Sequence, residues 1–197
     1  EIMTAISPLQ SIHKKGLFGN HHKKNEEDLL NITEIKNLNI IQIVCYKNSQ
    51  IELDNIKIEN LEIPLHNLQV TSNKDTRIIW NAPNTWLVVS KNENIIKSIK
   101  KTCNDINFAV TDISHSRSII QIKGPQAKEV LKKGSPINFN NFKKNTSAGS
   151  VFHGINIVID CIDDQPNAFN LFTLRSFGES LYHHIADASL EFGYLGV

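Results

Sequence analysis

Cysteine is scarce in this sequence of 197 residues, and the three that occur, Cys45, Cys103 and Cys161, are far apart and odd in number. That excludes a disulfide framework, and without a Cys-x-x-Cys pair it excludes a thiolate metal knuckle as well. Each cysteine sits in an apolar-rich run, so each is expected as a buried free thiol in a reducing compartment, the cytoplasm. No apolar run approaches the ~18 residues of a membrane span, and no charged segment with an apolar h-region opens the chain, so neither a membrane nor a signal peptide is expected. Neither charge sign dominates, with 21 Lys and Arg against 20 Asp and Glu. A net charge of +1 gives no general pull towards nucleic acid or acidic lipid. The doublets Lys14-Lys15, Lys23-Lys24, Lys100-Lys101, Lys132-Lys133 and Lys143-Lys144 therefore read as solvated surface, and no aromatics interleave them as a nucleic-acid face would require.

The familiar signatures of chemistry are missing too. Gly-x-Gly-x-x-Gly, a Gly-Lys-Ser/Thr phosphate loop and Gly-x-Ser-x-Gly are absent. His183 and His184 are neighbours on a predicted helix, point about 100° apart and cannot chelate as an i, i+4 pair would. Lys123-Gly124-Pro125 precedes a helix, but Pro125 removes a donor, so a helix start is expected rather than an anion site. No catalytic, cofactor-binding or metal-ligating set can be assembled. Asp112, Ser114 and Ser116 are placed on one strand face with Arg117 entering the next strand. A turn-tying Asp112–Arg117 bridge is the expectation, with ligand or subunit contact as the alternative. Trp80 and Trp86 flank Pro83 on two strands and are expected in the core, with an interface anchor as the second reading.

What is present is pattern. Phe177, Leu181, Ile185, Ala188 and Phe192 share one face of a helix that Ser176 and Glu179 open as a capping box and Gly193 closes. Tyr182, His183 and Glu179 then face outwards. Upstream, Ala168–Arg175 alternates like a strand. Strands are also predicted over Asn39–Tyr46, Thr76–Asn81, Thr85–Ser90, Phe108–Ile113, Ser118–Lys123, Ser150–His153 and Ile155–Ile162. Helices are predicted from Asn92 to Cys103, with Ile95, Ile96 and Ile99 inwards, and between Pro125 and Gly134. The order argues an α+β fold, an antiparallel-rich sheet with helices packed on it. Residues 1–37 lack sustained periodicity and read as an extended N-terminal arm; 38–197 read as one domain. Such an arm buries too little surface to order itself, so it is expected to dock elsewhere through Leu9, Leu17 and Phe18. Leu9, Leu17, Phe18, Trp80 and Trp86 are thus the interface candidates.

Several pieces, in order, carry a resemblance. They are Ser7-Pro-Leu9; Trp80-x-x-Pro83-x-x-Trp86-Leu87; Asp112-x-Ser114-His115; Gly124-Pro125-x-Ala127-x-x-Val130-Leu131-x-x-Gly134-x-Pro136; Phe169-x-Leu171-x-x-x-Arg175-Ser176-Phe177-x-x-x-Leu181; and Asp187-Ala188-x-x-Glu191-Phe192-Gly193. Together they resemble the gamma subunit family of heterotetrameric sarcosine oxidase, well over 76–193 and poorly over 1–75. The family lies near the folate-binding aminomethyltransferase group, which implies that fold, although the acidic folate-site motif of those enzymes has no counterpart here. The resemblance implies a chain without a cofactor, assembled with alpha, beta and delta subunits that carry FAD, FMN, NAD, tetrahydrofolate and zinc. The implied complex oxidises the N–CH3 bond of sarcosine, passes the one-carbon unit to tetrahydrofolate and reduces oxygen to peroxide. Related complexes acting on dimethylglycine or N-methylglutamate use similar subunits. A stand-alone folate-binding protein, with Asp112 or Asp160 in a pocket, and an RNA-modification accessory protein are the competing readings. The last needs a basic face, which a charge of +1 disfavours.

Overall fold

The computed structural model describes residues 6–197; residues 1–5 of the expected arm lie outside the described residues. Along the first half run β1 (Gly16–Phe18), β2 (Leu30–Glu34), β3 (Asn39–Cys45), β4 (Lys57–Ile58), β5 (Leu61–Glu62), β6 (Val70–Ser72), β7 (Thr76–Ala82), β8 (Thr85–Ser90) and α1 (Ile95–Thr102). The second half holds β9 (Phe108–Asp112), β10 (Arg117–Lys123), α2 (Ala127–Lys132), β11 (Ser147–Phe152), β12 (Ile155–Asp164), β13 (Asn167–Leu174), α3 (Gly178–Ser189) and β14 (Tyr194–Gly196). The chain divides into two compact units, not into an arm over 1–37 and one domain over 38–197. The first unit holds the described residues up to Lys36, with Ser116–Lys144 and Gly149–Val197; the second holds Asn37–His115 and Asn145–Ala148.

A seven-stranded sheet, ordered β1-β14-β2-β10-β13-β12-β11, organises the first unit. β14 runs parallel to β2, while β2–β10, β10–β13 and β13–β12 are antiparallel. The central strands are rich in β-branched and aromatic residues and are buried on both faces: Ile119, Ile120 and Ile122 on β10, and Phe169, Leu171 and Phe172 on β13. That is why their apolar runs are nearly continuous rather than alternating. Helices α2 and α3 pack on each other and on β13, contributing Val130, Leu131, Leu181 and Ile185 to the core.

The phase of α3 differs from the sequence expectation. Residues Arg175–Phe177 form a 3-10 turn, and the α-helix begins at Gly178 with Phe177 as an uncapped N-cap. The Ser176/Glu179 capping box does not form; Glu179 instead lies 3.8 Å from His183. Phe177 is consequently 48% exposed and Tyr182 takes its place inside. Gly178 permits this start: a Cβ there would lie 2.8 Å from Ser118 Oγ and 2.9 Å from Ser118 Cβ. Gly193 ends the segment at φ +73°, the left-handed conformation that favours glycine.

The described part of the arm is built into this unit. Leu30–Glu34, assigned to the arm by sequence, is β2 and lies inside the sheet between β14 and β10. Ser7 Oγ donates to Glu34 Oε2, whose other neighbour is Lys36 Nζ at 3.2 Å. Leu9 is fully buried, and β1 adds to the edge of the sheet on β14, with Phe18 stacked on Tyr194 at 5.1 Å. The backbone passes so close that a Cβ on Gly196 would sit 2.1 Å from Lys14 O. Gly196→Val is therefore expected to loosen β1 and the residues leading into it, and to cost about 1–3 kcal/mol, the usual range for an overpacked site. Trypsin should then cut at Lys14-Lys15 well before the wild type is cut. Unchanged melting and cleavage would show that this close approach does not hold the strand.

The second unit carries a five-stranded antiparallel sheet, β6-β7-β8-β3-β9, and the β4–β5 hairpin. Alternate residues Ile41 and Ile43 of β3, Ile78 of β7, and Trp86 and Val88 of β8 meet Ile95 and Ile99 of α1 in one core with Phe108. The β7–β8 turn works as predicted from Pro83: Asn84 takes φ +55° and the strands reconverge at Thr85. Asn92 begins the approach to α1 by accepting from Asn94 N at 2.9 Å, two residues before the helix proper.

Candidate functional site

The sequence-predicted interface residues do not share one environment. Leu9 is enclosed in the first unit, and Trp86 is 1% exposed in the second. Trp86 also donates its indole N–H to Pro64 O at 2.7 Å, so both its apolar body and its polar tip are used internally. Trp80 stands directly opposite Trp86 in the β7–β8 register and packs against the same core while keeping part of its surface. Phe18 is half-buried on Tyr194. Leu17, 50% exposed on the edge strand β1, retains the most surface of the five.

Asp112 is occupied locally. Ser114–Ser116 is a 3-10 turn rather than a continuation of the strand, so the three polar residues do not line one strand face. Ser114 donates twice to Asp112 Oδ1, from Oγ at 2.6 Å and from the backbone N–H at 2.9 Å. Ser114 Oγ in turn accepts from Ile40 N at 2.9 Å. The Ser114 side-chain bond, followed by its backbone bond, holds the Asp112 carboxyl below the usual aspartate range. Arg117 donates to the carbonyl and hydroxyl of Ser116, and burial lowers its pKa. The Asp112–Ser114–Ile40 set is a turn lock within the second unit. Asp160, the other acid named for a folate pocket, is fully buried in the first unit's sheet. Its register partner is Asn170, which accepts from Gln121 Nε2 at 2.9 Å.

Among the described residues no group of three or more His, Cys, Asp or Glu is placed to hold a metal ion. His183 turns to Glu179, whereas His184 lies against His153 with ring centroids 5.0 Å apart. The three cysteines are free and buried. Burial pushes the Cys103 thiol up to about 11, with Cys45 adding to the shift. Because the thiolate is the reactive form, native protein at neutral pH should leave all three thiols untouched by a disulfide reagent. Unfolded chain should react at all three. Prompt reaction of any thiol in the native protein would contradict this burial. No helix among the described residues is long and apolar enough to cross a membrane.

One surface feature of the first unit escaped sequence reasoning. At the end of β13, Leu174 is 46% exposed and Phe177 48% exposed, with the exposed Arg175 between them. The Arg175 guanidinium donates to the carbonyl of Ile6, a residue that is itself 68% exposed. The run Leu174-Arg-Ser-Phe177 precedes Gly178; sequence reasoning put Leu174 and Arg175 on a strand, Ser176 at a helix cap and Phe177 on the buried helix face.

Residues 55–191 match the model of the sarcosine oxidase, gamma subunit family. Sarcosine oxidase subunit gamma of Corynebacterium sp. (strain U-96) is 25% identical over 120 residues, which is 59% of this chain and 58% of that protein. The match thus spans less than two thirds of that relative's length. Among solved structures, a chain of heterotetrameric sarcosine oxidase from Corynebacterium sp. U-96, in complex with pyrrole 2-carboxylate, superposes with a TM-score of 0.77 at 20% identity, covering 85% of this chain and 87% of its own. The glycine cleavage system aminomethyltransferase T from Bartonella henselae superposes with a TM-score of 0.60 at 11% identity, over 81% of this chain and 46% of that one. At these identities the likeness is one of fold: the α+β, aminomethyltransferase-like architecture that the sequence predicts.

Proposed function

Because the chain belongs to the sarcosine oxidase, gamma subunit family, we propose that it serves as the gamma subunit of a heterotetrameric sarcosine oxidase and contributes no active site of its own. The family match over 55–191 carries this reading. In it, alpha, beta and delta subunits hold FAD, FMN, NAD, tetrahydrofolate and zinc. The complex converts sarcosine, tetrahydrofolate and oxygen to glycine, methylenetetrahydrofolate and hydrogen peroxide. The methyl carbon goes to the folate, and two electrons and two protons go to oxygen. This chain's part is to present surface. Leu17, the exposed part of Phe18 and Trp80 remain open to a partner, whereas Leu9 and Trp86 are already spent on packing within their own units.

The test is to isolate the full-length chain from its native cell and identify what comes with it. Three other subunits in constant ratio are expected, together with sarcosine-dependent peroxide formation. A chain that elutes alone would overturn the reading. Peroxide formation with dimethylglycine or N-methylglutamate in place of sarcosine would keep the subunit role and change the amine. The likeness to aminomethyltransferase T favours one second reading, a stand-alone folate-binding protein. It requires the isolated chain to bind tetrahydrofolate, which the gamma-subunit role does not.

A further inference from the structure

We infer that the imidazoles of His153 and His184 form a binding site for a divalent transition-metal ion on the first unit, with zinc as the ion to test. The bound ion ties the turn between β11 and β12 to helix α3. The inference stands independently of the gamma-subunit reading.

The two histidines come from distant parts of the chain, yet their side chains meet: the ring centroids are 5.0 Å apart and the planes are inclined by 32°. That spacing suits a shared ion. With a metal–nitrogen bond of about 2.0–2.1 Å and a tetrahedral angle, two imidazoles on one zinc hold their ring centres roughly 5 Å apart. The last torsion of a histidine side chain is broad, so turning the rings aims one nitrogen of each at the same point. Both residues are exposed, and neither ring is hydrogen-bonded to another described residue, so the ion displaces only water. The His153 ligand is preorganised. Its backbone takes φ +46° just before Gly154, a conformation uncommon outside glycine. Its N–H donates to Gly134 O at 3.0 Å, and its ring meets Phe152 edge-on at 4.9 Å. It lies so close to Gly134 that a Cβ there would be 2.8 Å from His153 Cδ2. The α3 backbone carries the other ligand. Lys133, beside Gly134, has its charge committed to Glu191 at 2.8 Å. Two protein ligands leave the remaining positions to water, so the site is weaker than a closed four-ligand zinc site. A clip between segments far apart in the chain still stabilises the fold more than one between neighbours. His21 and His22 also pair their rings, at 4.6 Å, but they are chain neighbours, and His21 Nδ1 is already 2.8 Å from Gly19 O.

The experiment uses the full chain without a histidine tag, carrying His21→Ala and His22→Ala to remove the competing pair. The protein is stripped of metal with a chelator and titrated with zinc chloride above neutral pH, where free imidazole is uncharged. Calorimetry reads affinity and stoichiometry, and the melting temperature reads the tie between turn and helix. One zinc per chain and a rise in melting temperature with zinc are expected. His153→Asn, chosen because asparagine tolerates the left-handed conformation, and His184→Ala should each weaken binding at least tenfold and remove that rise. His183→Ala, next to His184 but turned towards Glu179, should keep both. Without zinc each variant should melt near its parent, because the side chains removed are exposed. If one does not, the other, on a different element, decides. A parent that binds no zinc, or zinc binding undiminished by His153→Asn or by His184→Ala, would overturn the site.

Discussion

Trp86→Ala is expected to destabilise the protein by about 3–5 kcal/mol, the range for truncating a buried aromatic. The indole is 1% exposed and packs among Ile41, Ile43, Ile78, Val88, Ile95, Ile99 and Phe108. Its removal leaves a cavity that β3, β7 and β8 cannot close without breaking register, and it strands Pro64 O, which now accepts the indole N–H. The lost bond adds to the lost packing. Trp86→Phe fills most of the space but not the bond, so it should recover most of the stability and not all. Denaturant unfolding of the three proteins measures this. A loss below about 1 kcal/mol for Trp86→Ala would mean that this residue is not the core position described.

Leu181→Ala should cost about 2–5 kcal/mol, while His183→Ala should cost within ~0.5 kcal/mol. Leu181 is fully buried under α3, and His183 is exposed and reaches Glu179, a pair that solvent screens. The comparison reads the rotation of the helix directly. Comparable losses at the two positions would mean that α3 is buried on a second face.

Thr85–Ser90 was legible in sequence to the residue, because Thr, Trp and Val have high β-propensity and Pro83-Asn84 is an unambiguous turn. Leu181, Ile185 and Ala188 were legible as a helix stripe for a similar reason. Phe177 was not, since periodicity cannot tell a residue in the first helical turn from one in a 3-10 turn just before it. Gly178 sets that boundary, because a Cβ there would run into Ser118. β2 was hidden by Glu34, a buried carboxylate whose partners Ser7 and Lys36 cannot be paired with it from spacing alone. Strands β1 and β14 are three residues each and exist through pairings between distant parts of the chain. The family was legible because its lettering is spread over several elements in order, whereas the Arg175 surface depends on the arm returning to Ile6.

Oxygen uptake with sarcosine and tetrahydrofolate, measured on the purified chain alone and on the complex isolated from the native cell, tests most directly the proposal that this chain is a gamma subunit with no active site of its own. The isolated chain should show no uptake and no bound flavin, while the complex that contains it should turn over. Turnover by the chain alone, or a stoichiometric yellow chromophore on it, would contradict a non-catalytic gamma subunit.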